Sequence, residues 1–97
     1  MDKLVRVLDQ QPLVSREWTP ENGEKKLIKS VSVKMTDGID TFVGEATDQL
    51  AEVIDKTPLD KDHIHAVQTR IRVNTWKTKD GKEAMSNNIT IIKIVEL

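Results

Sequence analysis

From His63 to Trp76 the side chains alternate for longer than most strands run. Val67, Thr69, Ile71 and Val73 fall on one side of an extended chain, with Gln68, Arg70, Arg72, Asn74 and Trp76 on the other. A helix, with its period of 3.6, would scatter both sets around its surface, so this stretch is read as one long strand. A strand of that length cannot stand alone: its apolar side needs a core and its edges need partners. The rest of the chain has the composition to supply both. Valine and isoleucine together number 19, against 7 leucines and 4 alanines, and β-branched side chains favour a pleated surface over a helical bundle.

Four further strands and one helix are expected. Leu4 to Trp18 reads as a first strand, bent where Asp9-Gln10-Gln11-Pro12 interrupts the apolar pattern. Asn22-Gly23 is a strong hairpin signal, because both residues tolerate positive φ. It leads to a second strand, Lys26 to Met35, with Leu27, Val31, Val33 and Met35 on one face. After Thr36-Asp37-Gly38 comes a short third strand, Ile39 to Glu45. The period then changes: Leu50, Val53 and Ile54 lie at helical spacing behind a cap at Thr47 or Asp48, and Pro58 ends the helix near Lys56. The long strand follows, then a turn at Lys79-Asp80-Gly81-Lys82 and a last strand, Asn88 to Val95.

Three strands, one helix between strands three and four, and two more strands is the order of a five-stranded Greek-key barrel, the OB-fold, here all-β apart from that helix. Ninety-seven residues accommodate one such domain, residues 1–97. An open α+β sheet is the rival. Closure is preferred because an open sheet of five strands leaves long exposed edges.

Both tryptophans occupy matched places, each five residues before a turn glycine: Trp18 before Gly23 and Trp76 before Gly81. In a barrel of this type the two hairpins rise beside the face that binds oligonucleotides, so the indoles would flank one groove. Flat π surfaces suit stacked bases at about 1–3 kcal/mol each, and cations beside them follow the phosphates. Lys25 and Lys26 lie beyond the first turn; Lys77, Lys79 and Lys82 surround the second; Arg70 and Arg72 share strand parity with Trp76. The formal charge of the chain is only -1, yet residues 63–97 carry six basic and three acidic groups, whereas residues 47–62 carry two and five. A polyanion would be drawn to the last hairpin. The ordinary alternative for such tryptophans is rim packing, and for such lysines solubility.

Several chemistries are not expected. Zero cysteines exclude disulfides, thiolate zinc and thiol catalysis. His63-Ile64-His65 has a metal-like spacing, but no cysteine or third histidine completes it, so a solvated strand start is expected. Asp55, Asp60 and Asp62 lack the glycine and terminal glutamate of a calcium loop. No phosphate loop, nucleophile elbow or paired carboxylate in an apolar setting appears, so no enzyme and no cofactor are expected. No apolar run approaches the roughly 18 residues of a membrane span, and Met1-Asp2-Lys3-Leu4 does not begin a secretory signal, which makes a cytoplasmic protein the default.

The run Val67-Gln68-Thr69-Arg70-Ile71-Arg72-Val73-Asn74-Thr75-Trp76-Lys77-Thr78-Lys79-Asp80-Gly81-Lys82-Glu83 resembles the fourth strand and following hairpin of bacterial single-stranded DNA-binding proteins. Ala46 to Ile54 is similar to the passage from that family's third strand into its helix, and Trp18 to Val33 to its first hairpin. The resemblance implies an OB-fold, with Trp76 as a base-stacking residue, Arg70 and Arg72 as strand-face contacts, and Lys77, Lys79 and Lys82 as phosphate contacts. The family's glycine before the fourth strand is replaced by Asp62-His63-Ile64-His65, and the chain stops at Leu97 without the acidic tip those proteins use to recruit other enzymes. In that it is similar to primosomal replication protein N, a tail-less dimeric relative.

The expected function is therefore binding of single-stranded DNA, with RNA as a second nucleic-acid partner, by a homodimer or homotetramer without membrane association. A module for protein assembly, with both indoles at a subunit contact, is the alternative. An oligosaccharide on the same face is a third reading.

Overall fold

The computed structural model describes residues 2–18, 23 and 25–97; the side chains of residues 18, 26 and 74 lie outside the description. Six strand segments and one helix follow in the order β1 (Asp2–Gln10), β2 (Val14–Trp18), β3 (Lys26–Thr36), β4 (Thr41–Thr47), α1 (Asp48–Lys56), β5 (Ile64–Lys77) and β6 (Glu83–Glu96). The sheet runs β1-β5-β6-β4-β3, and β3 pairs back onto β1. The five-stranded barrel is therefore closed, with β4 and β6 parallel at Gly44↔Ile89 and Glu45↔Thr90 and the other neighbours antiparallel. The rival open sheet is excluded by these two closing pairings.

β1 and β2 are the two halves of the expected bent first strand, so the helix falls between the fourth and fifth segments. Both halves pair with β3, Val7 opposite Met35 and Val14 opposite Ser30. Pro12 at the break has no N–H for the ladder, while the N–H of Gln11 still reaches the Ser32 carbonyl at 2.9 Å. The Asn22-Gly23 hairpin signal lies mostly outside the described residues; Gly23 itself has a φ of 84°.

Two strand starts differ from expectation. Asp37 Oδ1 accepts the N–H groups of both Ile39 and Asp40, at 2.9 and 2.8 Å. That turn holds Ile39 out in solvent and moves the start of β4 to Thr41. The last strand begins at Glu83, not Asn88, because its ladder with β5 continues to Lys77↔Glu83 at the tip.

The core is Val5, Val7, Val31, Val33, Met35, Ala46, Val67 and Ile91 from the barrel walls, closed at one end by Ala51 and Ile54 of α1. Leu27 was expected to share this face but is exposed, as its hairpin outruns the barrel. Thr47 takes the N-cap position in extended conformation without a side-chain capping bond. Gln10 ties the other end of the helix to β1: its side-chain amide donates to the Ile54 carbonyl at 3.1 Å and its oxygen accepts the Leu59 N–H at 3.0 Å. The two histidines part company. His63 is exposed, whereas His65 is 1% exposed, with Nδ1 donating to the His63 carbonyl at 3.1 Å. A solvated strand start thus describes His63 and not His65, whose ring is enclosed in the barrel wall.

Candidate nucleic-acid interface

The ladder between β1 and β5 stops at Asp2↔Gln68. Beyond it, among the described residues, β5 pairs with β6 alone, and the pair continues as a two-stranded ribbon to Lys77↔Glu83. At the junction the register moves from Gln68↔Lys93 to Thr69↔Ile91, leaving Ile92 as an extra residue on β6. A bulge of this kind bends the strand and increases its twist. The ribbon is closed by Thr78–Lys82: the Thr78 N–H donates to the Lys82 carbonyl at 2.8 Å, the Gly81 N–H to the Thr78 carbonyl at 3.0 Å, and Gly81 adopts a φ of 82°.

Register and pleat assign each side chain to a side. Arg70, Arg72 and Trp76 share one side, opposite Thr90, Asn88 and Ala84 of β6. All three are exposed, the indole at 49%. Trp76 lines a depression of about 360 Å³ with Thr75, Lys77 and Glu83. Lys77 projects from the opposite side of the ribbon, and Lys79 and Lys82 stand exposed in the turn. That opposite side also carries Ile71, Val73 and Met85, at 51%, 60% and 71% exposure, although Thr69 and Ile91 of the same parity are buried in the barrel.

Charge pairing separates the ribbon from the barrel. Among the described residues, ion pairs join Lys3 to Asp37, Arg16 to Glu45, Lys29 to Glu52, Lys61 to Asp9 and His63 to Asp60 and Glu96. None engages Arg70, Arg72, Lys77, Lys79 or Lys82. Two carboxylates stand among them, Glu83 opposite Lys77 in the ladder and Asp80 in the turn; Asp80 is held below the usual carboxylate range, chiefly by the Thr78 hydroxyl that donates to it, and fixes the turn.

Lys25 is exposed just before β3, and Lys26 opens β3 in register with Trp18, the last residue of β2. The side chains of Trp18 and Lys26 lie outside the described residues, so the expected trough between two indoles is not defined by the structure. Between the two hairpins lie the outer faces of β3 and β4. A groove of about 380 Å³ runs there, lined by Ser32, Val43, Gly44 and Glu45 on one bank and Asn87, Asn88 and Ile89 of β6 on the other. Sequence reasoning did not single these residues out. Alternation gives Ser32, Val43, Glu45 and Asn88 outward parity but turns Gly44 toward the core, and the meeting of β4 with β6 is set by closure of the barrel.

A closed OB barrel whose last hairpin extends into a cationic ribbon is the class of architecture these residues define. No protein-family model and no curated protein sequence matches the chain. Among solved structures it is similar to a mitochondrial single-stranded DNA-binding protein of S. cerevisiae, Rim1, with a TM-score of 0.54 and 14% identity over 100% of this chain and 92% of that one. At that identity the shared property is the fold.

Proposed function

We propose that this chain binds single-stranded DNA without catalysing a reaction, using the β5–β6 ribbon and the groove beside it. The observation that carries the reading is a set of cations, Arg70, Arg72, Lys77, Lys79 and Lys82, that make no ion pair among the described residues and lie along the ribbon that carries the exposed Trp76 ring. Trp76 offers its face to a base while the arginines of the same side follow the backbone; Lys79 and Lys82 meet phosphates at the tip. Trp18, Lys25 and Lys26 extend this contact to the first hairpin. The similarity in fold to a protein whose name states single-stranded DNA binding supports the reading. RNA offers the same bases and phosphates to this surface, and the DNA preference is part of the proposal.

Titration with oligo-dT at two salt concentrations tests it. The expected result is quenching of tryptophan emission and an affinity that falls steeply as salt rises, through counterion release. If neither short nor long strands alter the emission at low salt, the proposal fails.

A second reading rests on Ile71, Val73 and Met85. Two-stranded ribbons are marginal in water, and an apolar side this exposed is suited to covering by another copy of the chain. A homodimer or homotetramer would bury it. Light scattering across a concentration series measures the assembly, and assembly that persists while DNA leaves the emission unchanged would favour this reading over the first.

A further inference from the structure

At the end of the β5–β6 ladder remote from the ribbon, two separate stretches of chain bring three ligand-type side chains together. Asp60 and His63 belong to the loop between α1 and β5, and Glu96 is the last residue of β6. His63 Nδ1 lies 2.8 Å from Asp60 Oδ2 and 2.8 Å from Glu96 Oε1, and the three ligand atoms all lie within 4.8 Å of one another. A ring nitrogen carries at most one proton. Two carboxylate oxygens aimed at the same nitrogen therefore leave one of them with a poor share of a hydrogen, and the two negative charges converge.

We infer that Asp60, His63 and Glu96 form a binding site for a zinc-like divalent metal ion. The donor set is one imidazole nitrogen and two carboxylate oxygens, a combination that suits Zn²⁺ and its first-row neighbours better than calcium or magnesium, which favour oxygen alone. Two carboxylates and a neutral imidazole balance the ion's charge. All three side chains are exposed, so water completes the coordination. Each ligand is anchored through its backbone or its second oxygen. Asp60 Oδ1 accepts the Asp62 N–H at 2.8 Å, leaving Oδ2 for the metal. Glu96 is held opposite His65 in the ladder, and the Leu97 N–H reaches the Ile64 carbonyl at 2.9 Å.

His63-Ile64-His65 by itself offers too few ligands for a metal, with no third histidine or cysteine beside it in sequence. The structure removes His65 from that group by burying it and substitutes two carboxylates, one of them at the far end of the last strand. A bound ion would staple the helix-to-β5 loop to the end of β6. The ladder from His65 to Lys77 separates this site from the ribbon tip by about 40 Å at the rise of an extended strand. The inference therefore stands apart from the DNA reading.

Calorimetric titration of the untagged chain with ZnCl₂, with no nucleic acid present, tests the site. The expected result is saturable binding of one ion per chain and a rise in the thermal midpoint with zinc. His63→Ala and Glu96→Gln each weaken binding by more than the about 10–100-fold that loss of an outer-sphere partner costs. Both positions are about half exposed, so the variants keep the fold, which circular dichroism verifies. With cobalt as a paramagnetic probe, the ring signals of His63 broaden more strongly than those of His65. Absence of saturable binding at millimolar zinc overturns the inference, as does equal affinity of the wild type and both variants.

Discussion

Gly44 faces Ile91 at the parallel seam that closes the barrel so tightly that a Cβ at position 44 would sit 2.8 Å from Ile91 Cγ1 and 2.9 Å from Met35 Cε. The methionine tip can swing away; the isoleucine branch is wedged in the core at 3% exposure and cannot move without shifting β6. Closure thus depends on a missing side chain. Gly44→Ala is expected to destabilise the fold by about 1–3 kcal/mol through overpacking, read as a lowered midpoint in chemical denaturation. An unchanged midpoint would show that the seam yields freely.

Trp76→Ala removes the exposed ring while leaving the core untouched. Affinity for oligo-dT should drop by about 1–3 kcal/mol, roughly 5–150-fold, in an anisotropy titration. Far-ultraviolet dichroism and thermal midpoint should stay near wild type, which separates lost stacking from lost folding.

The cations can be counted by salt. Each of Arg70, Arg72, Lys79 and Lys82 that meets a phosphate should, when changed to alanine, reduce the slope of log affinity against log salt by about 0.7 for a single strand. Variants that weaken binding without changing the slope would assign those residues to contacts other than phosphate.

Acid sensitivity is expected at the β3–β4 turn. The Asp40 and Ile39 N–H groups and the Lys3 ammonium, in that order, lower the Asp37 pKa from 3.8 to about 2. Lys3 reaches it at 3.2 Å from β1, so the turn is also tied across the barrel. A depressed folded-state pKa stabilises the fold above the unfolded value, and that contribution disappears as pH falls from about 3.8 towards 2. Asp37→Asn should therefore lower the thermal midpoint at pH 5 and make little difference near pH 2.

Gln10→Ala leaves the Ile54 carbonyl and the Leu59 N–H without their side-chain partner where α1 meets β1. The expected cost is about 1–3 kcal/mol. Hydrogen exchange should rise first at the helix end and the loop after it, before the strands open.

Much of this architecture is legible in the residues. Strict alternation places Val31, Val33 and Met35 inside, and the change of period at Asp48 marks the helix with its stop before Pro58. What alternation does not carry is the point at which a strand leaves its neighbours. Ile71 and Val73 have the parity of Val67, yet Val67 is enclosed because β1 lies beside it and the other two are not. The same limit hides the groove between β4 and β6 and the meeting of Asp60, His63 and Glu96. Each depends on which distant strands become neighbours, and a local pattern holds no record of that. The pairing of Arg70, Arg72 and Trp76 on one side needed only a period of two, which is why it was readable.

Ile92 gives the molecule an aiming device. Because one supernumerary residue bends β6 at the junction, the direction in which the ribbon departs from the barrel wall is set by chain length, independently of the side chains it displays. Trimming that residue would restore regular pairing on both sides of the junction and keep every cation and the indole, but would point them towards a different quarter of space.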